Sequence, residues 1–127
     1  NEELILKQED ETNLLERINN MLDNNEVDGI FSVDEVSGAI ATHALNKRNI
    51  KIPEEVSIIG FTNGILSRYG SPPLTSVNRF AHTTGEIAAT RLIDKLEGKI
   101  KFNDIKTEII KTKLVEREST KKLFIKF

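Results

Sequence analysis

An α/β fold built on a parallel sheet is the class this sequence predicts, and three features predict it. Val56-Ser57-Ile58-Ile59-Gly60-Phe61 is a short apolar run that stops at Thr62-Asn63-Gly64. A run of that length bounded by turn residues suits a strand buried on both faces. Asp28 to Val33 reads as a second strand, and Leu4 to Lys7 as a short strand candidate before it. Helical periodicity separates the three, which argues for two strand-helix-strand units with right-handed crossovers.

The first helix is expected from Glu11 to Asn24. Leu14, Leu15, Ile18, Met21 and Leu22 repeat at helical spacing there, and Asp10 or Thr12 is suited to cap its start. The second is expected from Glu35 to Arg48, with Val36, Ile40, Ala44 and Leu45 along one face and Pro53 barring extension. After the Pro72-Pro73 loop, Thr75 to Phe80 is extended. A third helix is expected from Thr84 to Glu97, opened by the capping-box spacing of Thr83 and Glu86 and closed by Gly98. Its stripe is Ala88, Leu92 and Leu96, flanked by Ala89 and Ile93. Glu108 to Glu116 alternates apolar and polar residues, the pattern of a half-exposed late or edge strand.

Composition narrows the function classes. A chain of 127 residues is one domain or part of one, and 38% apolar residues suffice for a core. A formal charge of -2 leaves no concentrated basic surface for nucleic acid. Lys121, Lys122 and Lys126 alternate with apolar residues at the end and read as a solvated terminus. Without cysteine there is no disulfide, thiol nucleophile or cysteine-ligated metal, which fits a reducing cytoplasm. No apolar run approaches the roughly 20 residues of a membrane span, and no signal peptide is visible. A start at Asn1-Glu2-Glu3 without methionine reads as a piece cut from a longer protein.

The loops after the strands ending at Val33 and Phe61 open on one edge of a parallel sheet, where such folds bind ligands. They carry Asp34-Glu35 and Thr62-Asn63. Carboxylate, hydroxyl and amide groups suit a neutral polyhydroxylated small molecule, whose hydroxyls both donate and accept. Asp34 also suits the cap of the following helix, and Thr62 and Asn63 suit a turn before Gly64. His43 and His82 lack a partner at metal or catalytic spacing, and no glycine-rich phosphate loop occurs. No enzyme activity, cofactor or metal is expected.

Several segments together resemble the effector-binding domain of lactose-repressor/galactose-repressor family transcription regulators. Asp28 to Glu35 is similar to the family's strand with its terminal polar pair, and Val36 to Leu45 to the small-residue helix after it. Ile52 to Phe61 resembles VPEDVSVVGFDD, Ser71 to Val77 resembles SPPLTTV, and Leu114 to Thr120 resembles the closing LVVRES segment. The resemblance implies a periplasmic-binding-protein-like (type I) half domain: residues 1–127 form a partial effector-binding and dimerisation domain, mainly its carboxyl-terminal subdomain. Residues of about 78–104 are expected in the amino-terminal subdomain. Asp34 matches an effector-contacting asparagine, and Thr62 an aspartate that binds sugar hydroxyls. Threonine there is shorter and neutral, which departs from the family pattern for a hexose.

The implied partners are a small sugar-like effector and a second copy of the chain, in the cytoplasm and without membrane. DNA would be reached only through a headpiece absent from this chain. The competing reading is a fragment of a periplasmic sugar-binding protein of an uptake system.

Overall fold

In the computed structural model, which describes residues 4–7 and 11–122, the sheet has four strands in the order β1-β2-β3-β4. They are β1 (Gly29–Ser32), β2 (Ser57–Gly60), β3 (Thr75–Asn78) and β4 (Lys113–Val115). The helices are α1 (Glu11–Asn24), α2 (Glu35–Lys47), α3 (Ile65–Tyr69) and α4 (Ala81–Leu96). β1 and β2 pair in parallel with Gly29 opposite Ser57 and Ser32 opposite Gly60. β2 and β3 are also parallel, with Ile59 opposite Thr75 and Gly60 opposite Ser76. Two compact units emerge, one of residues up to Asn78 together with Leu114 onward, the other Arg79–Lys113.

In the first unit α2 contacts both β1 and β2, and α1 packs on α2. The buried face of α2 is Gly38, Ala41, Thr42, Ala44 and Leu45. Small side chains let the helix approach closely: a Cβ at Gly38 would lie 2.8 Å from Ser32 Oγ and 3.2 Å from Leu74 Cδ1. Leu14 and Ile18 of α1 meet Ala41 and Ala44, while Leu45, Val56, Ile58 and Leu74 form a second cluster. Leu45 and Ile58 are fully buried. Truncating such a side chain to alanine costs about 2–5 kcal/mol.

The carboxyl-terminal segment completes this sheet. Beyond the Ile59–Thr75 pair, the backbone groups of Ile58 on the β3 side are taken by Ser119. Ile58 N–H donates to the Ser119 carbonyl (2.8 Å), and Ser119 Oγ–H donates to the Ile58 carbonyl (2.6 Å). The same Oγ accepts from Thr75 N–H at 2.8 Å. Arg117 N–H donates to Thr75 Oγ1 (2.9 Å), and Glu118 N–H to the Pro73 carbonyl (3.2 Å). Ser119 is completely buried with all these bonds made.

Several expectations need correction. Leu4–Lys7 is not a strand; Leu4 has 3₁₀ conformation, and Leu6 packs against the cluster of Leu14, Ile18, Ala41 and Ala44. β1, read only as a strand, lies at the edge of this sheet with Phe31 57% exposed. Val36 lies outside the buried face of α2. α4 begins at Ala81, behind Phe80 in a left-handed conformation (φ 51°, ψ 48°), so Thr83 and Glu86 form no cap. Glu86 instead faces His82 Nδ1 at 3.2 Å, one helical turn away. The alternating stretch from Glu108 is strand only at Lys113–Val115, with Ile109 84% exposed. The candidate caps Asp10 and Thr12 and the end of the chain from Leu123 lie outside the described residues or side chains.

The second unit, Arg79–Lys113, holds α4 and an irregular return. The α4 stripe is present but unburied, since no second regular element within the unit covers it. Arg91 pairs with Asp104, and Lys95 donates to the Phe102 carbonyl (2.7 Å). Lys99 has its pKa raised by hydrogen bonds to Glu97 and then Asp94. Among the described residues no helix is long and apolar enough to cross a membrane.

Removing the Ser119 hydroxyl leaves Thr75 N–H and the Ile58 carbonyl without that partner in a buried setting. Ser119→Ala is therefore expected to destabilise the chain by about 1–3 kcal/mol for each orphaned group. Urea unfolding should show a lower midpoint at unchanged slope.

Candidate functional site

The parallel register decides where the candidate residues go. Ser32 lies opposite Gly60, and Phe61 N–H donates to the Ser32 carbonyl (2.8 Å), carrying the ladder one residue further. Both chains then leave the same sheet edge, at Asp34 and Thr62. Their preceding aromatic rings, Phe31 and Phe61, pack tilted with centroids 6.1 Å apart.

Asp34 is the N-cap of α2. Its backbone is extended, Oδ1 accepts from Ser37 N–H (2.8 Å), and Oδ2 accepts from Ser37 Oγ–H (2.9 Å). An ionised carboxylate has about four acceptor sites, so two bonds leave capacity for a ligand hydroxyl. Asp34 also lines a cavity of about 410 Å³ bounded by Leu4, Leu14, Ile18 and Ile30, whose lining is mostly apolar. Glu35, Thr62 and Asn63 do not line that cavity.

Glu35 works across the edge. Its Oε1 accepts from the backbone N–H groups of Leu66 (2.7 Å) and Ser67 (3.1 Å), thirty-odd residues away. The carboxylate thereby caps α3 and ties the loop after β2 to the start of α2. Gly64 is what admits it: a Cβ there would lie 2.2 Å from Glu35 Oε2 and 2.5 Å from its carboxyl carbon. Any larger residue must expel a carboxylate held by two charge-assisted bonds. Ser67, buried, donates from Oγ to the Thr62 carbonyl (2.8 Å) and fixes the loop from the other side.

Asn63 is held by a residue that sequence reasoning passed over. Arg117 Nη1–H donates to the Leu74 carbonyl (2.6 Å), and Nη2–H donates to Asn63 Oδ1. The structure thus brings Asp34, Glu35, Thr62 and Asn63 to one edge, with Ser37, Ser67 and Arg117 as their supports. Ser37, three residues after Asp34, carried a readable capping signal; Arg117 carried none, being 54 residues from Asn63. Among the described residues no group of three or more histidine or carboxylate side chains could hold a metal.

With this geometry in hand, the chain can be set beside known proteins. The family model of the periplasmic binding protein-like domain matches residues 2–120. The HTH-type transcriptional regulator CelR of Thermobifida fusca is 28% identical over 94 residues, covering 74% of this chain and 27% of that protein. The HTH-type transcriptional repressor PurR of Histophilus somni is 33% identical over 94 residues, covering 74% of this chain and 28% of the repressor. The solved transcriptional regulator CelR-cellobiose complex superposes with a TM-score of 0.78 at 26% identity, over 94% of this chain and 36% of that one. A LacI family transcriptional regulator from Arthrobacter sp. FB24, in complex with lactose, gives 0.79 at 27% identity, over 92% and 44%. This chain therefore spans less than half the length of each relative, and through its match over residues 2–120 it belongs to the periplasmic binding protein-like domain family.

Proposed function

We propose that this chain is part of the effector-sensing domain of a transcriptional regulator, binding a small sugar-like molecule at the edge formed by Asp34, Thr62 and Asn63. The observation that carries the reading is the register of β1 on β2, which sends both polar loops off one sheet edge. Support also comes from the relatives, which are named as transcriptional regulators, two of them solved with cellobiose or lactose. Those names favour a regulator over an uptake protein. In this reading Asp34 accepts from a sugar hydroxyl, while Thr62 and Asn63 offer neutral partners. Glu35 acts through the loop it holds. The Arg79–Lys113 unit serves as part of the second subdomain, DNA is reached only through a headpiece elsewhere, and the protein works in the cytoplasm without metal, cofactor or catalysis.

Isothermal titration of the full domain with cellobiose and with lactose tests this. Asp34→Ala should weaken binding by roughly 1.5–3 kcal/mol, and Thr62→Ala by about 1 kcal/mol. Asp34→Asn keeps an N-cap and separates the contact from helix stability. Unchanged affinity in both alanine variants, with folding intact, would move the site elsewhere.

The same reading includes a homodimer. Val36, Ile65, Leu66 and Tyr69 are exposed apolar side chains on α2 and α3, which pack on one another; Tyr69 is 80% exposed. Clustered exposure of this kind marks association surfaces. Sedimentation should show concentration-dependent association that shifts toward monomer when Ile65 and Tyr69 are exchanged for serine. A strict monomer at high protein concentration would contradict it.

A further inference from the structure

The guanidinium of Arg117 has no acceptor of its own; arginine carries five N–H donors and nothing else. The atom of Asn63 that faces it must therefore be the amide oxygen, as the Nη2–H to Oδ1 bond has it. The usual ambiguity of an asparagine amide does not arise here, because the flipped amide would oppose two sets of donors. With Oδ1 taken, Nδ2 has no protein partner among the described residues. It is not buried away from solvent either, since the described residues hold no buried side-chain nitrogen or oxygen lacking a partner. Asn63 itself is half-buried, so this N–H₂ group is an accessible donor on the loop after β2.

Arg117 is in turn well held. It is half-buried, its other terminal nitrogen donates to the Leu74 carbonyl, and its own backbone N–H is bonded to Thr75 Oγ1. Two residues on, Ser119 anchors the segment between β2 and β3. We propose that Arg117 is a positioning residue of the effector site: it locks the Asn63 amide so that the loop after β2 offers the ligand an N–H donor and no acceptor at this position. The ligand atom it selects is an acceptor oxygen, such as a hydroxyl, ring or carbonyl oxygen. The proposal rests on the effector-site reading for its ligand, and on the Arg117–Asn63 contact alone for its geometry.

The two can be tested separately. In the ligand-free chain, Asn63→Asp places a carboxyl against Arg117. Followed by NMR, that carboxyl should titrate roughly one to three pH units below an ordinary aspartate, and return to the ordinary range when Arg117→Gln is added. Equal titration in both backgrounds would overturn the proposal. In the unmodified chain, the Arg117 guanidinium protons should give resolved, slowly exchanging signals that collapse in Asn63→Ala; averaged signals in both would also overturn it. This measurement decides the matter if the double variant does not fold. In the full domain, with cellobiose and lactose as probes, Arg117→Gln should weaken binding severalfold when Asn63 is present and have no effect in the Asn63→Ala background. An equal loss in both backgrounds would count Arg117 as merely structural and overturn the assignment. If neither sugar binds, the effector reading fails for these probes, while the titration still decides the contact.

Discussion

Ser119 is the point on which this structure turns. Among the described residues β2 and β3 pair at Ile59–Thr75 and Gly60–Ser76, a short ladder. Ser119 extends it with three bonds, to both backbone groups of Ile58 and to the amide of Thr75. All three lie in a buried setting, where a missing partner costs far more than a bond contributes at the surface. The serine side chain thus acts as a piece of strand backbone. Because Arg117 sits two residues before it, the same segment that closes the sheet also reaches the loop after β2.

A second constraint is closeness of approach. Gly38 lets α2 come down on Ser32 and Leu74, and that sets where the helix begins relative to the ends of β1 and β2. The N-terminus of α2, capped by Asp34, thereby stands at the sheet edge beside the following loop. Glu35 fastens that loop through the α3 amides, and Gly64 leaves the room it needs. Asp34 is consequently both cap and ligand candidate, and the two roles are compatible because its oxygens keep unused acceptor sites. The loop positions are neutral, Thr62 and Asn63, but they are positioned from both sides by charged groups.

Much of the fold was readable because its signals are local. The apolar run around Ile58, the periodicity of Leu14 and Ile18, and the cap at Asp34 each depend on residues a few positions apart. What escaped depends on residues far apart. α3 is too short to show a period, and its amides are satisfied by Glu35 from another loop. The exposure of Phe31 could not be read from β1, because a continuous apolar run looks the same at the edge of a sheet as at its centre. The capping-box spacing at Thr83 was legible but overridden, with Phe80 turning the chain earlier and Glu86 bonded to His82. The four candidate site residues could be proposed from strand ends alone. Arg117, which holds Asn63, and Ser119, which closes the sheet, could not, since each acts on residues more than 40 positions away.

The central claim is that the Arg117–Ser119 segment is an integral part of the sheet. Native-state hydrogen exchange of the unmodified chain across a low-denaturant series tests it most directly. The account expects the amides of Ile58 and Thr75 to exchange through the same global opening as Leu45 in the core, with the same denaturant dependence. Exchange of Ile58 and Thr75 by a separate, low-energy opening that leaves Leu45 protected would contradict it.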